Sequence, residues 1–144
     1  MGIEEIQTKF DGASGFELDT DPADESWMRV ADVMVSDWSG VALEFAYGFE
    51  RPVLFVDLPR KSNNPEYMDL GIEPFEVSIR EEVGEIVSPD DLSGVPGIVR
   101  RMVSTRNDSV DRIQASREQR VFNPGRSATI GADFITNTPS TGNG

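Results

Sequence analysis

The stretch ADVMVSDWSGVALEFAYGFERPVLFVD, Ala31 to Asp57, sets the fold class of this chain. Val33, Met34 and Val35 form a short apolar run of the kind found in strands covered on both faces, and Val53 to Val56 forms another. Between them, Val41 to Tyr47 carries apolar residues at helical spacing. Strand, turn, helix, turn and strand in that order make a βαβ unit, which predicts an α/β domain built on a parallel sheet. The turn into the helix, Ser36-Asp37-Trp38-Ser39-Gly40, falls beyond the carboxyl end of the first strand. Open α/β sheets bind ligands there, and the unpaired N–H groups of a helix start favour an anion such as a phosphate.

Outward from this unit the pattern is less regular. Ile3, Ile6 and Phe10 share one helical face and read as the end of a helix whose beginning is missing. Gly12 to Gly15 reads as a turn and Phe16 to Leu18 as a short strand. The acidic loop Asp19 to Asp24 can cap a helix over Ser26 to Val30. On the other side, Leu58 to Pro74 is rich in Pro, Asn and Gly, and its length marks a functional loop able to reach over a ligand. Glu85 to Val87 predicts a strand, and Ser88-Pro89-Asp90-Asp91 is a start signal for a helix over Leu92 to Val103, whose first turns Gly94, Pro96 and Gly97 weaken. Ser109 to Val121 reads as another helix, Pro124 to Ser127 as a break and Ser127 to Ile135 as a last helix. The expected product is a partial Rossmann-like domain, a parallel sheet of about four strands flanked by helices. It spans residues 1–135 and is truncated at its N-terminus, with 136–144 a flexible polar tail.

Of the 144 residues, 38% are hydrophobic and 27% charged, which supports a globular segment of one domain. The formal net charge of −13 argues against a nucleic-acid partner, because displacing the counterions of a polyanion takes a basic surface. Without cysteine there is neither a disulfide nor a thiolate metal site, and the acidic residues are dispersed rather than spaced as a calcium loop, so no metal cage and no cofactor are expected. No apolar run approaches the roughly 18 residues of a membrane span and no signal-peptide layout opens the chain, so the expected location is cytoplasmic.

Candidate site residues follow from the turn. Gly40 allows close backbone approach to a pyrophosphate, and Ser39 offers a hydroxyl beside the first N–H groups of the helix. The same pair also reads as an N-cap and a turn residue. Glu44, one helical turn on, can face the same crevice and accept hydrogen bonds from ligand hydroxyls, or can be a solvated helix charge. Asp37 would repel a pyrophosphate, so it reads as a wall residue that braces the turn through backbone N–H groups. Positive charge can come from Arg60 and Lys61 on the long loop and from Arg126 in Asn123-Pro124-Gly125-Arg126-Ser127, or these can be local charge partners.

Ala31-Asp32, Asp37-Trp38-Ser39-Gly40, Glu44-Phe45-Ala46 and Arg51-Pro52-Val53-Leu54-Phe55 together resemble the CDP-glycerol glycerophosphotransferases that build teichoic-acid-like polymers. Weaker similarity extends from Phe16 to about Ile135 and includes Arg60-Lys61 and the Gly125-Arg126-Ser127 pattern. The resemblance implies the C-terminal, donor-nucleotide half of a two-domain GT-B transferase. It also implies CDP-glycerol or a similar nucleotide diphosphate as ligand, a separate acceptor domain as partner, and peripheral placement at the inner membrane face through the full-length enzyme. It gives an acidic residue at Glu44 and a basic one at Arg126, but here Ser-Gly replaces the commoner Ser-Ser. Catalysis in that family relies on histidines, and this chain has none; no other residue type titrates near neutral pH without a large shift. Two further readings stay open: a donor domain of the nucleotide-sugar glycosyltransferase or epimerase type, and a non-catalytic remnant.

Overall fold

Pro52, Val53, Leu54 and Phe55 are all buried, as a strand covered on both faces requires. In the computed structural model, which describes residues 2–21, 23–60 and 71–137, they run through the middle of a three-stranded parallel sheet. Its order is β1 (Met34–Ser36), β2 (Val53–Val56), β3 (Gly84–Val87). Met34 pairs with Val53 and Ser36 with Phe55; Val53 pairs with Gly84 and Val56 with Val87. Three strands are thus present among the described residues where about four were expected. Phe16 to Leu18 is not the missing one, because that segment is irregular.

Alternate side chains of β2 point to opposite faces of the sheet. Leu54 joins Val87 and Met102 in a buried cluster, against which Val56, Val95, Ile98 and Val99 pack, and this seats α6 (Val95–Ser104). The strands advance in one direction, so right-handed crossovers place both intervening connections on a single face. The first connection is α3 (Gly40–Phe49), which packs on β1 and β2 and buries Ala42, Phe45 and Ala46. The second ends in two short helices, α4 (Phe75–Ser78) and α5 (Arg80–Val83). No element was predicted for that stretch, since four residues hold barely one turn of helical periodicity. The predicted start at Ser88 is real, because its Oγ accepts the Asp90 N–H at 3.2 Å. It opens a 3₁₀ turn over Pro89–Gly94, however, with Asp91 off helical geometry (φ −118°, ψ 37°), and the α-helix restarts at Val95 with Pro96 in its first turn. Two further helices, α7 (Arg106–Arg120) and α8 (Ser127–Asn137), complete this unit, which begins at Ala31. Thr136 and Asn137 of the expected tail belong to α8, and the rest of the tail lies outside the described residues.

Helix α7 has few apolar residues and is held by polar groups. Ser116 Oγ donates to Glu82 Oε2 at 2.6 Å and lies 2.8 Å from the Tyr47 hydroxyl. A serine has one proton to give, so Tyr47 is the donor to Ser116. Arg120 pairs with Glu82 at 2.5 Å, while Arg117 donates to the Tyr47 carbonyl and pairs with Glu50 at 2.6 Å. Glu50 ends α3 in the left-handed region (φ 54°), and its carboxylate also accepts from Gln114 at 2.7 Å. One helix thereby ties α3 and α5 together beside the sheet.

Residues up to Val30 form a separate compact unit. Helix α1 (Ile3–Phe10) opens with the Gly2 N–H donating to Glu5, and the Phe10 and Phe16 rings lie 4.8 Å apart across the following turns. The acidic loop caps α2 (Ser26–Val30) as expected: Asp24 accepts both the N–H and the hydroxyl of Ser26, and these bonds hold its carboxyl below the usual range. Among the described residues no helix is long and apolar enough to cross a membrane.

Two predictions test this architecture. A Cβ on Gly84 would lie 1.8 Å from the Val53 carbonyl oxygen, so Gly84→Ala is expected to lower unfolding stability by about 2–3 kcal/mol in urea titration. The Ser116 hydroxyl and then Arg120 hold the Glu82 carboxyl below its ordinary value of 4.5. Its stabilisation is therefore complete above that value and is lost as pH falls through the lower folded-state value. Glu82→Gln should be less stable than wild type at neutral pH and should show a shallower loss of melting temperature on acidification.

Candidate functional site

Parallel strands bring their carboxyl ends to one edge, and the residues that follow β1 and β2 meet there. A cleft of about 670 Å³ is lined by Trp38 from the turn after β1, by Asp57, Leu58 and Arg60 after β2, and by Ser78, Arg80 and Glu81 around α4 and α5. Trp38 is pinned by its indole N–H, which donates to the Leu58 carbonyl at 2.5 Å. The guanidinium carbons of Arg80 and Arg60 lie 4.0 and 4.5 Å from the Trp38 ring centroid, and that of Arg80 lies 5.1 Å from the Phe55 ring. Cations at such distances over aromatic faces are attracted by the ring quadrupole.

Arg80 is the unusual residue of the cleft. It is only 4% exposed, and Nη1 donates to Asp57 Oδ1 at 2.8 Å. Asp57 is itself fixed to the sheet edge by its backbone N–H, which donates to the Val87 carbonyl at 2.9 Å. The Nε and Nη2 atoms of Arg80 are buried without a hydrogen-bond partner among the described residues. Buried guanidinium donors left unpaired cost free energy, which a water, an ion or a ligand that accepts from them would recover.

The expected turn residues occupy the neighbouring position. Ser39 is the N-cap of α3 in extended geometry (φ −115°, ψ 133°), yet its side chain makes no capping bond. The plain capping role is therefore not the one its hydroxyl fills. Gly40 is the first helical residue, exposed, and a Cβ there would meet nothing within 4 Å. Trp38 connects the two features, following the end of β1 while lining the cleft. Arg60 lines the cleft, whereas Ser39, Gly40, Asp37, Glu44 and Arg126 are not among its lining residues. Glu44 is on the exposed side of α3. Asp37 is exposed. Arg126 is exposed on the turn between α7 and α8, where its N–H donates to the Asn123 carbonyl. Lys61 lies outside the described residues.

Comparison of the chain with protein-family models, curated proteins and solved structures finds no match. The site therefore rests on its own geometry. Arg80 and Asp57 were absent from the expected set. A signal existed for Asp57, which directly follows a strand at the ligand-binding edge, but none for Arg80, which opens the charged run Arg80-Glu81-Glu82.

Because Asp57 is half exposed, losing its charge should cost less than breaking a fully buried pair. Asp57→Asn is expected to lower stability by about 1–2 kcal/mol in urea titration. A double-mutant cycle with Arg80→Met should return a coupling of similar size.

Proposed function

We propose that this chain binds the diphosphate portion of a nucleotide donor, as the donor-site part of a transferase that moves glycerol phosphate from CDP-glycerol to a lipid-linked or polymer acceptor. The observation that carries the reading is Trp38, which joins an uncapped helix start at Ser39-Gly40 to a cleft containing two arginines. Backbone N–H groups can then meet one phosphate without added charge, while guanidinium groups meet the ligand across the indole. The resemblance of the Ala31 to Phe55 motifs to CDP-glycerol glycerophosphotransferases supports the donor class.

In this reading the chain binds and orients the donor. The acceptor site and a histidine base are supplied from outside it, as is any attachment to the membrane face. The absence of histidine favours a second reading for the chain by itself, a phosphate-binding module without turnover.

Calorimetric titration of the chain with CDP-glycerol, against CDP and UDP-N-acetylglucosamine, tests the proposal. Saturable binding that prefers CDP-glycerol is expected, with a loss of about tenfold or more in a Ser39→Ala, Gly40→Val variant. The open space around Gly40 leaves that variant free to fold. Preference for the UDP-sugar would move the site to the nucleotide-sugar class, and no heat from a folded chain would remove the donor reading.

A further inference from the structure

We propose that Arg80 is the anion-receiving residue of the cleft, and that it takes two oxygens of a phosphate ester carrying free hydroxyls. The inference builds on the reading of this cleft as a phosphate site, but it names the residue and does not depend on a nucleotide.

The planar guanidinium presents its donors in fixed directions. Nη1 is committed to Asp57. Nε–H and the Nη2–H beside it lie on one edge of the plane and form a side-on fork whose spacing matches two oxygens of a phosphate or carboxylate. These are the two Arg80 atoms that have no partner among the described residues. The group is also held in place, because Trp38 and Phe55 flank it, Asp57 anchors it, and the Trp38 ring is tied to the Leu58 carbonyl. Such preorganisation lowers the ordering cost of binding. Arg60, exposed and on the same indole, adds a second guanidinium.

The cleft also selects what the anion is attached to. Among the described residues its lining holds three carboxylates, Asp57, Glu73 and Glu81, and two guanidinium groups. A bare anion would face those carboxylates with nothing to offer them. An ester of a polyol or sugar can donate hydroxyl protons to carboxylates while its phosphate accepts from Arg80.

The test follows the Arg80 Nε–H resonance by NMR of nitrogen-labelled protein, assigned by its loss in Arg80→Lys. Inorganic phosphate, glycerol phosphate and glycerol serve as probes. Both phosphate probes should move the resonance saturably, glycerol phosphate at the lower concentration, and glycerol should leave it in place. Arg80→Lys keeps the charge and loses the fork, so it should weaken glycerol phosphate binding by about tenfold or more. The proposal is overturned if neither phosphate probe moves the resonance in the millimolar range, or if a folded Arg80→Lys protein binds glycerol phosphate as tightly as wild type. CDP-glycerol separates the two readings. If it binds while the Arg80 resonance stays still, the donor site stands without this anchor; if it fails while glycerol phosphate moves the resonance, the anchor stands without a nucleotide.

Discussion

A hydroxyl proton given by Ser116 to Glu82 ties α7 to α5 within the helical layer of this domain. Because that proton is spent, the Tyr47 hydroxyl must donate to Ser116, and the relay runs from α3 through α7 to α5. In α7 the only fully buried apolar side chain is Ile113, burial of which contributes about 1.5–3 kcal/mol. Hydrogen bonds to charged groups contribute about 1.5–3 kcal/mol each when shielded, so the polar relay matches the apolar contact in size. It adds direction, which apolar contact lacks. The two arginines at Arg117 and Arg120 extend the clamp to Glu50 and Glu82, so α7 grips both neighbours by charge as well as by the relay.

The cleft depends on that clamp. Helix α5 has four residues and cannot hold its shape alone. It carries Glu82 toward α7 and Arg80 toward the end of β2, so the group that fixes the helix and the group that faces the cleft are two residues apart on one turn. Whatever Arg80 meets is therefore positioned by the polar packing of a helix outside the cleft. Burial of a charged group is tolerated there because two aromatic faces and a carboxylate flank it.

The parts of the fold visible in the sequence are those whose periodicity is long enough to read. The apolar runs at Val33 to Val35 and Val53 to Val56, and the helical spacing between them, lie where β1, β2 and α3 form. Long helices were found to within a few residues: α7 starts at Arg106 rather than Ser109, since its first turn has no apolar residue to mark it. Phe16 to Leu18 has strand-like composition but no partner strand among the described residues, and pairing decides a strand more than propensity does. Beside the cleft, the helix start at Ser39 and Gly40 is legible because turn chemistry is local. The pairing of Arg80 with Asp57, 23 positions away, was not, because only the folded sheet edge brings them together.

Gly84 has a consequence for how the chain finds this structure. Parallel strands joined through long connections can pair in more than one alignment, and each wrong alignment is a trap during folding. The Val53 carbonyl approaches the Gly84 α-carbon so closely that the position admits no side chain. A slip of β3 by two places, which keeps its faces, would bring Glu82 or Ile86 opposite Val53 in place of the glycine. Gly84 is the one residue of β3 without a side chain, so this close approach works as a key that fits the native alignment, and the same register brings the Val87 carbonyl to the Asp57 N–H.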